Sequence, residues 1–246
     1  AEVDRFFNAT AEMTAKGRGE IVADFIEADA TKISWTRGLR NDCAKGKKAV
    51  LREEGFVECL YRPFTKQCGY FDRMLNAYVN QLPRIFPNSN AENIVIGVSG
   101  LGDKVGFSAL VSKVIPSLHC VDIDGSQCFP LYLYEQKVEV PSLFSDINNQ
   151  SLQRRDAITD AGLAHFKEAY PSEKITKEDI FYYVYGLLHS VEYREQYADN
   201  LSKELPRIPR VKMATDFWAF NKAGRELAHW HLNYETVEPY PLTIDA

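Results

Sequence analysis

No stretch of this chain approaches the roughly 18 consecutive apolar residues that a membrane-spanning helix requires. Its opening residues, AEVDRFFNATAEM, hold neither a basic leader followed by an apolar run nor an initiator Met; such a start reads as a soluble fragment of something larger. There is no C-x-x-C pair among the five cysteines, Cys43, Cys59, Cys68, Cys120 and Cys128. An odd, scattered set fits free thiols in a reducing cytoplasm better than a disulfide framework. No G-K-[ST] follows a glycine-rich loop, no nucleophile elbow surrounds a serine, and no internal repeat or low-complexity tract is present. With 246 residues, 45% hydrophobic and 26% charged, the composition excludes disorder and collagen and suits a globular fold with a sizeable core.

Positive charge is in short supply on average, 29 Lys and Arg against 34 Asp and Glu for a net −5, which argues against a nucleic-acid partner. The average hides a segregation. Residues 1–31 carry 3 basic and 7 acidic side chains, residues 32–113 carry 13 and 7, and residues 114–246 carry 13 and 20. The basic middle is densest at Lys32, Arg37, Arg40, Lys45, Lys47, Lys48 and Arg52, then Arg62, Lys66, Arg73 and Arg84. A run of this kind is commonly a solvated helical face. Here Trp35, Tyr61, Phe64, Tyr70, Asn76, Asn80 and Gln81 are interleaved with it, and Arg, Asn and Gln are the side chains that read base edges while Lys neutralises phosphates.

Periodicity divides the chain near residue 150 and predicts an α+β protein, a strand-rich N-terminal lobe followed by a helical C-terminal lobe. Residues 56–61, 68–72, 93–98, 119–123 and 129–134 are aromatic or β-branched runs bounded by turn formers and read as strands. A basic helix starting at Ser34 or Thr36 and fading at Gly46 interrupts them. A polar connector with Pro141 and two adjacent Asn follows, and the linker is placed at 141–157. Beyond it, Thr159 can cap a helix ended by Pro171, and Thr176 with Asp179 forms a capping box with Ile175 able to staple onto Ile180. Ser190 can cap a third helix, and a last one spans about 216–234. The expected organisation is an acidic connector or first helix at 1–31, a recognition lobe at 32–140 and a supporting helical lobe at 158–246.

Three patterns suggest an active site. Gly97, Gly100, Gly102 and Gly106, with Asp122 twenty residues after Gly102, imitate a dinucleotide fingerprint. Their gaps run in the wrong order and the βαβ alternation is missing on the N-terminal side. Asp122 or Asp124 with Glu135-Gln136-Lys137 imitates the spaced carboxylates and lysine of a metal-dependent nuclease, although a solvated strand end explains Glu135 as well. His229 and His231 flank Trp230, and an i, i+2 pair points to different faces of a helix. A nucleotide-binding enzyme using the 97–106 segment, and a helical protein-docking module, stand as the alternatives.

A resemblance enters at Lys32-Ile33-Ser34-Trp35-Thr36-Arg37, Leu60-Tyr61-Arg62-Pro63-Phe64-Thr65-Lys66-Gln67, Tyr70-Phe71-Asp72-Arg73 and Gln81-Leu82-Pro83-Arg84-Ile85-Phe86-Pro87. It continues through Gly106-Phe107-Ser108, Gln127-Cys128-Phe129-Pro130-Leu131-Tyr132, the stretch 179–190, Glu204-Leu205-Pro206-Arg207-Ile208-Pro209 and Leu232-Asn233-Tyr234-Glu235. This ordered set, covering nearly the whole chain, resembles the C-terminal specificity region of type ISP restriction-modification enzymes.

The resemblance implies a target recognition domain for double-stranded DNA, with nuclease, ATP-driven translocase and adenine-N6 methyltransferase upstream in one polypeptide. S-adenosylmethionine, ATP and Mg²⁺ would belong to that full-length enzyme and no cofactor to this fragment, which lacks N-P-P-[FY] and Walker motifs. On this reading there is no catalytic centre and no metal site here, and Lys45, Lys47, Lys48, Lys66 and Lys104 contact phosphates. Base-edge contacts are expected from some of Arg37, Arg40, Gln67, Arg73, Asn76, Asn80, Gln81 and Arg84. Arg62 and Arg84, each beside a Pro, could equally hold strand ends by bonding to carbonyls.

Overall fold

The computed structural model describes residues 35–45, 47, 50–73, 75–76, 79–100, 106–122, 125–136, 152–238 and 241–242. The expected acidic segment 1–31 lies outside them. Among these residues α and β elements are both present, as the periodicity predicts. The chain divides into two compact units, one of residues 1–57 and 68–83, the other of residues 58–67 and 84–246.

In the first unit, helix α1 (Arg37–Ala44) starts where Thr36 accepts a hydrogen bond from the Leu39 amide at 3.2 Å, so of the two starts the sequence offers, Ser34 and Thr36, it is Thr36 that caps. The base of a hairpin formed by β1 (Phe56–Arg62) and β2 (Thr65–Tyr70) follows. Gly55 sits so close to the Tyr70 ring that a Cβ there would lie 2.7 Å from it, and the Phe71 amide donates to the Gly55 carbonyl at 2.7 Å.

In the second unit the core is built on an antiparallel sheet of β3 (Val95–Val98), β4 (Ala109–Ser112) and β6 (Gln127–Pro130), in the order β4-β3-β6. Strands β3 and β4 are buried at every position, because both sheet faces are covered. Ile96, Val98, Ala109 and Val111 belong to the cluster formed with the helices, while Leu110 belongs to a second cluster with Leu60 and Cys120. The tip of the β1–β2 hairpin joins that second layer through short β5 (Ile115–Pro116), which pairs in parallel with β1 at Cys59 and Leu60. Strand β4 has no sequence signal beyond a short apolar run, which cannot by itself be told from helix. Residues 119–122, expected as a strand, form turns. Their amides are taken by Ser117 and Ser126, whose side chains and carbonyl offer local partners in place of a ladder.

The expected strand at 129–134 is two strands. At Leu131 the chain leaves β3 and starts β7 (Tyr132–Gln136), which pairs antiparallel with β8 (Leu152–Asp156). Asn93, only 5% exposed, fixes this corner. Its amide donates to the carbonyls of Ile85, which ends helix α2 (Leu82–Ile85), and of Tyr132, at 2.9 and 2.8 Å; its Oδ1 accepts from the Ile94 and Tyr132 amides at 2.9 and 3.1 Å. Strand β8 occupies residues within the stretch read as linker, and all its side chains are exposed.

The helices begin where the caps predict. Thr159 caps α3 (Asp160–Ala169), Thr176 and Asp179 form a reciprocal capping box at α4 (Lys177–Leu188), and Ser190 caps α5 (Val191–Gln196). Helix α6 (Ala198–Leu201) is a single turn. Helix α7 (Ala214–Leu232) buries Phe217, Asn221, Gly224 and Ala228 against α4. The two helices touch backbone to backbone: a Cβ on Gly186 would lie 2.2 Å from the Phe220 carbonyl oxygen, and one on Gly224 would lie 1.9 Å from that of Tyr182.

The extended segment 207–211, where Pro209 stops any helix, is held by three tyrosines. Tyr183 donates to the Pro209 carbonyl at 2.6 Å, Tyr193 to that of Arg207 at 2.8 Å, and Tyr170 to that of Val211. Buried hydroxyls thus satisfy carbonyls that no secondary structure pairs.

Candidate nucleic-acid interface

The first unit carries most of the candidate DNA contacts. Leu39, 3% exposed, turns one side of α1 inward, which leaves Arg37 and Arg40 exposed along the helix and Lys45 and Lys47 exposed just after it. The Arg40 Nε donates to the Trp35 carbonyl at 3.1 Å, orienting its guanidinium. Lys47 pairs with Asp42 at 2.7 Å, an exposed pair that water and salt weaken. Arg73 is exposed beyond β2. Asn76 is half-buried, and its Oδ1 accepts from the Asp72 amide at 2.7 Å, so this side chain closes a turn. Asn80, exposed, takes φ 47°, a left-handed conformation that Asn tolerates better than most residues. Gln81 is exposed next to it. Lys48 and Lys104 lie outside the described residues.

In the second unit the hairpin tip is tightly engaged. Phe64, at φ 58° and 46% exposed, packs edge-on against the rings of His231 and Tyr234. Lys66, expected at a phosphate, has a side chain only 15% exposed. Its ammonium lies 2.5 Å from Glu235 and 3.1 Å from Glu58, and Glu235 first, then Glu58, outweighs burial and holds its pKa above the ordinary lysine value. The charge of Lys66 is therefore answered inside the fold. Gln67 is exposed on the same strand. Arg62 holds a strand end as the structural reading anticipates: its Nη1 donates to the carbonyls of His119 at 2.8 Å and Tyr61 at 3.1 Å.

Arg84 belongs to a group that the sequence does not assemble. Its Nη2 lies 2.5 Å from Oε1 of Glu135, and Arg155 Nη2 lies 2.8 Å from the same oxygen. Arg155, with Arg84 second, holds the Glu135 carboxyl below its ordinary range. On the other side of β8, Arg154 stacks 4.2 Å over the Tyr132 ring. Arg154 and Arg155 are legible as an Arg-Arg pair, but they sit in a stretch that reads as linker, where charge looks incidental.

The described residues of the three enzyme-like patterns have structural partners. Strand β3, which holds Gly97, pairs antiparallel with the next described strand, β4, and not parallel as in a βαβ unit; Gly102 lies outside the described residues. Asp122, the acid of the imitated fingerprint, is buried and accepts the Gly100 amide at 2.5 Å. A Cβ on Gly100 would lie 2.4 Å from the Gly125 carbonyl oxygen, so this glycine serves a close backbone approach. Glu135, the acid of the nuclease-like pattern, faces two guanidiniums, a setting that disfavours a cation. Cys120 and Cys128 are pushed up to about 11 and about 12 by burial, so neither offers a thiolate at neutral pH.

His231 is engaged in the core: its Nδ1 lies 2.5 Å from the Tyr185 hydroxyl, which also accepts the Val111 amide at 3.1 Å. Among the described residues no group of three or more His, Cys, Asp and Glu is placed to hold a metal, and no helix is long and apolar enough to cross a membrane.

No curated protein matches the chain. Among solved structures it is similar to part of a cryo-EM structure of the DrdV–DNA complex, with 35% identity and a TM-score of 0.81 over 97% of this chain and 21% of that one. It is similar to a nuclease-deletion mutant of the type ISP restriction-modification enzyme LlaGI in complex with a DNA substrate mimic, with 30% identity and a TM-score of 0.74 over 95% and 16% of the two chains. The ATP-dependent type ISP enzyme LlaBIII bound to DNA matches at 29% identity and a TM-score of 0.79, over 96% and 15%. The chain thus spans about a fifth or less of the length of these relatives. The family model of the type ISP C-terminal specificity domain matches residues 1–246, and the chain belongs to that family.

Proposed function

We propose that this chain recognises a specific sequence in double-stranded DNA as the target recognition domain of a type ISP restriction-modification enzyme. In that role it holds a target adenine for an N6-methyltransferase carried, with helicase and nuclease domains, elsewhere in the polypeptide. The observation that carries the reading is the family match over the whole chain, supported by three similar structures that were determined with DNA or a DNA mimic. The methyltransferase would take the adenine out of the stack, which requires the duplex to be held in register nearby. S-adenosylmethionine, ATP and Mg²⁺ would serve those other domains, and the enzyme would work in the cytoplasm, where its DNA substrate is.

Within the chain, the strand-rich 32–140 lobe would read DNA and the helical 158–246 lobe would support it. Lys45, Lys47, Lys48 and Lys104 would neutralise phosphates, base-edge contacts would come from among Arg37, Arg40, Gln67, Arg73, Asn80 and Gln81, and Arg84, held by Glu135, would meet the backbone. Lys66 and Asn76 we place in the scaffold, since Glu58 and Glu235 hold the one and the Asp72 turn the other.

The test is binding of the full chain to a random duplex pool, with competition between selected and scrambled duplexes at moderate salt. Sequence preference is expected. Replacing Lys47 and Lys48 by Ala should flatten the salt dependence by about 0.9 for each phosphate that is no longer neutralised. Equal affinity for selected and scrambled duplexes would favour the protein-docking alternative and refute the reading.

A further inference from the structure

Strand β8 is unusual among the described strands: it is exposed at every position and pairs only with β7. It buries no apolar face, so core packing does not explain its sequence Leu152-Gln153-Arg154-Arg155-Asp156. The register places Arg155 opposite Leu133 and Arg154 opposite Tyr134. Successive residues of a strand point to opposite faces, and the contacts agree. Arg155 reaches Glu135 on one face, where Arg84 also converges; Arg154 stacks on Tyr132 on the other.

Each face therefore presents guanidinium groups fixed in position before any ligand arrives. Arg84 and Arg155 share one carboxylate oxygen and are 45% and 46% exposed, so the two stand side by side at the surface. Arg154 lies over a ring, an arrangement that engages the face of the guanidinium and leaves its in-plane N–H edges outward. The nearby Asp156 is partnered at 3.6 Å by Lys177, which also binds Asp160 at 2.6 Å. Arg155 also donates from Nη1 to the Asp156 carbonyl at 3.2 Å; guanidiniums fixed in this way and half-exposed match the geometry of phosphate oxygens. A two-stranded ribbon is about 10 Å thick with its side chains, and the B-DNA major groove is about 12 Å wide.

Resting on the DNA reading above, we propose that the β7–β8 ribbon grips duplex DNA across a groove. Arg155 with Arg84 binds phosphates of one strand, and Arg154 binds phosphates of the other. The ribbon is then a clamp on the backbone, separate from the base-reading side chains, and it contributes affinity without sequence preference.

The test uses the full chain and a duplex it has selected from a random pool, comparing wild type with R154Q, R155Q and the double variant. All the exchanged side chains are on the surface, and Glu135 keeps Arg84 as a partner. Each single exchange should weaken binding roughly fivefold at about 0.15 M salt and lower the salt slope by about 0.9, the double by about 1.8, without altering the selected sequence. Ethylation interference should show that R154Q and R155Q lose phosphates on opposite strands. Unchanged slope and phosphates in the double variant, with wild type binding normally, overturns the ribbon clamp and leaves the DNA reading standing. Loss on one strand only also overturns it. Failure of wild type to select any duplex overturns the DNA reading, and the clamp with it.

Discussion

Acidification should loosen the joint between the central sheet and the helices, and His189 should be responsible for a measurable share of it. His189 caps the C-terminus of α4 beside Tyr185, whose ring lies 4.7 Å away. Arg194 reaches its Nδ1 at 3.3 Å, and the His231 ring is 5.8 Å distant. Burial first, then the positive charge of Arg194 and the neighbouring His231, pushes its pKa from 6.5 down to about 4. A proton added at Nδ1 would face the guanidinium, so the folded state keeps the ring neutral. The unfolded chain accepts a proton as pH falls below 6.5, whereas the folded chain resists until about 4.

The stability tied to this group is therefore complete above pH 6.5 and is lost as pH falls towards about 4. That gap corresponds to an upper limit of about 3.4 kcal/mol at about 1.36 kcal/mol per pH unit, and solvent screening of a ring not wholly buried reduces the expected loss to about 2 kcal/mol. Urea denaturation between about pH 7 and about 4.5 should show this loss in the wild type beyond that in His189→Gln, whose side chain can accept from Arg194 without titrating. Equal pH dependence of the two proteins would refute the reasoning.

Further outcomes follow from the same packing. Gly224→Ala would place a Cβ 1.9 Å from the Tyr182 carbonyl oxygen and force α4 and α7 apart, at about 3 kcal/mol in thermal denaturation. Gly162→Ala, whose Cβ would meet nothing nearer than 3.4 Å, should instead stabilise by about 0.5 kcal/mol; the same sign for both would sink the close-crossing explanation. Asn93→Ala removes four hydrogen bonds and leaves the Ile85 and Tyr132 backbone groups unpaired, so about 3 kcal/mol should be lost. A wild-type urea midpoint in this variant would contradict that role. Finally, Lys66→Gln should leave the salt slope of DNA binding unchanged while Lys45→Gln lowers it by about 0.9; the reverse result would return Lys66 to the DNA surface.

Local signals are legible wherever a residue's role is settled by its chain neighbours. Thr36, Thr159, Thr176 with Asp179, and Ser190 all cap the helices expected of them, because a cap bonds an amide two or three residues away. Long-range partners are not legible. Lys66 and Arg84 read as cations with no carboxylate partner until Glu235 and Glu135 arrive from 169 and 51 residues away. Strand β8 hides in a polar connector because its register is set by β7, and a strand with no buried face has no period-two pattern to detect.

The sequence by itself determined the α+β class, the starts of the side-chain-capped helices and the family, since composition, capping and ordered motifs are properties of neighbouring residues. Tertiary structure alone decided which cations meet a carboxylate distant in the chain. It also decided that Gly97 lies in an antiparallel strand and Gly100 at a close backbone approach, and that Arg154 and Arg155 stand on opposite faces of a ribbon. Charge counted along the chain says only how many guanidiniums there are. Pairing in space, at 2.5 Å or across a strand, says what each one is able to hold.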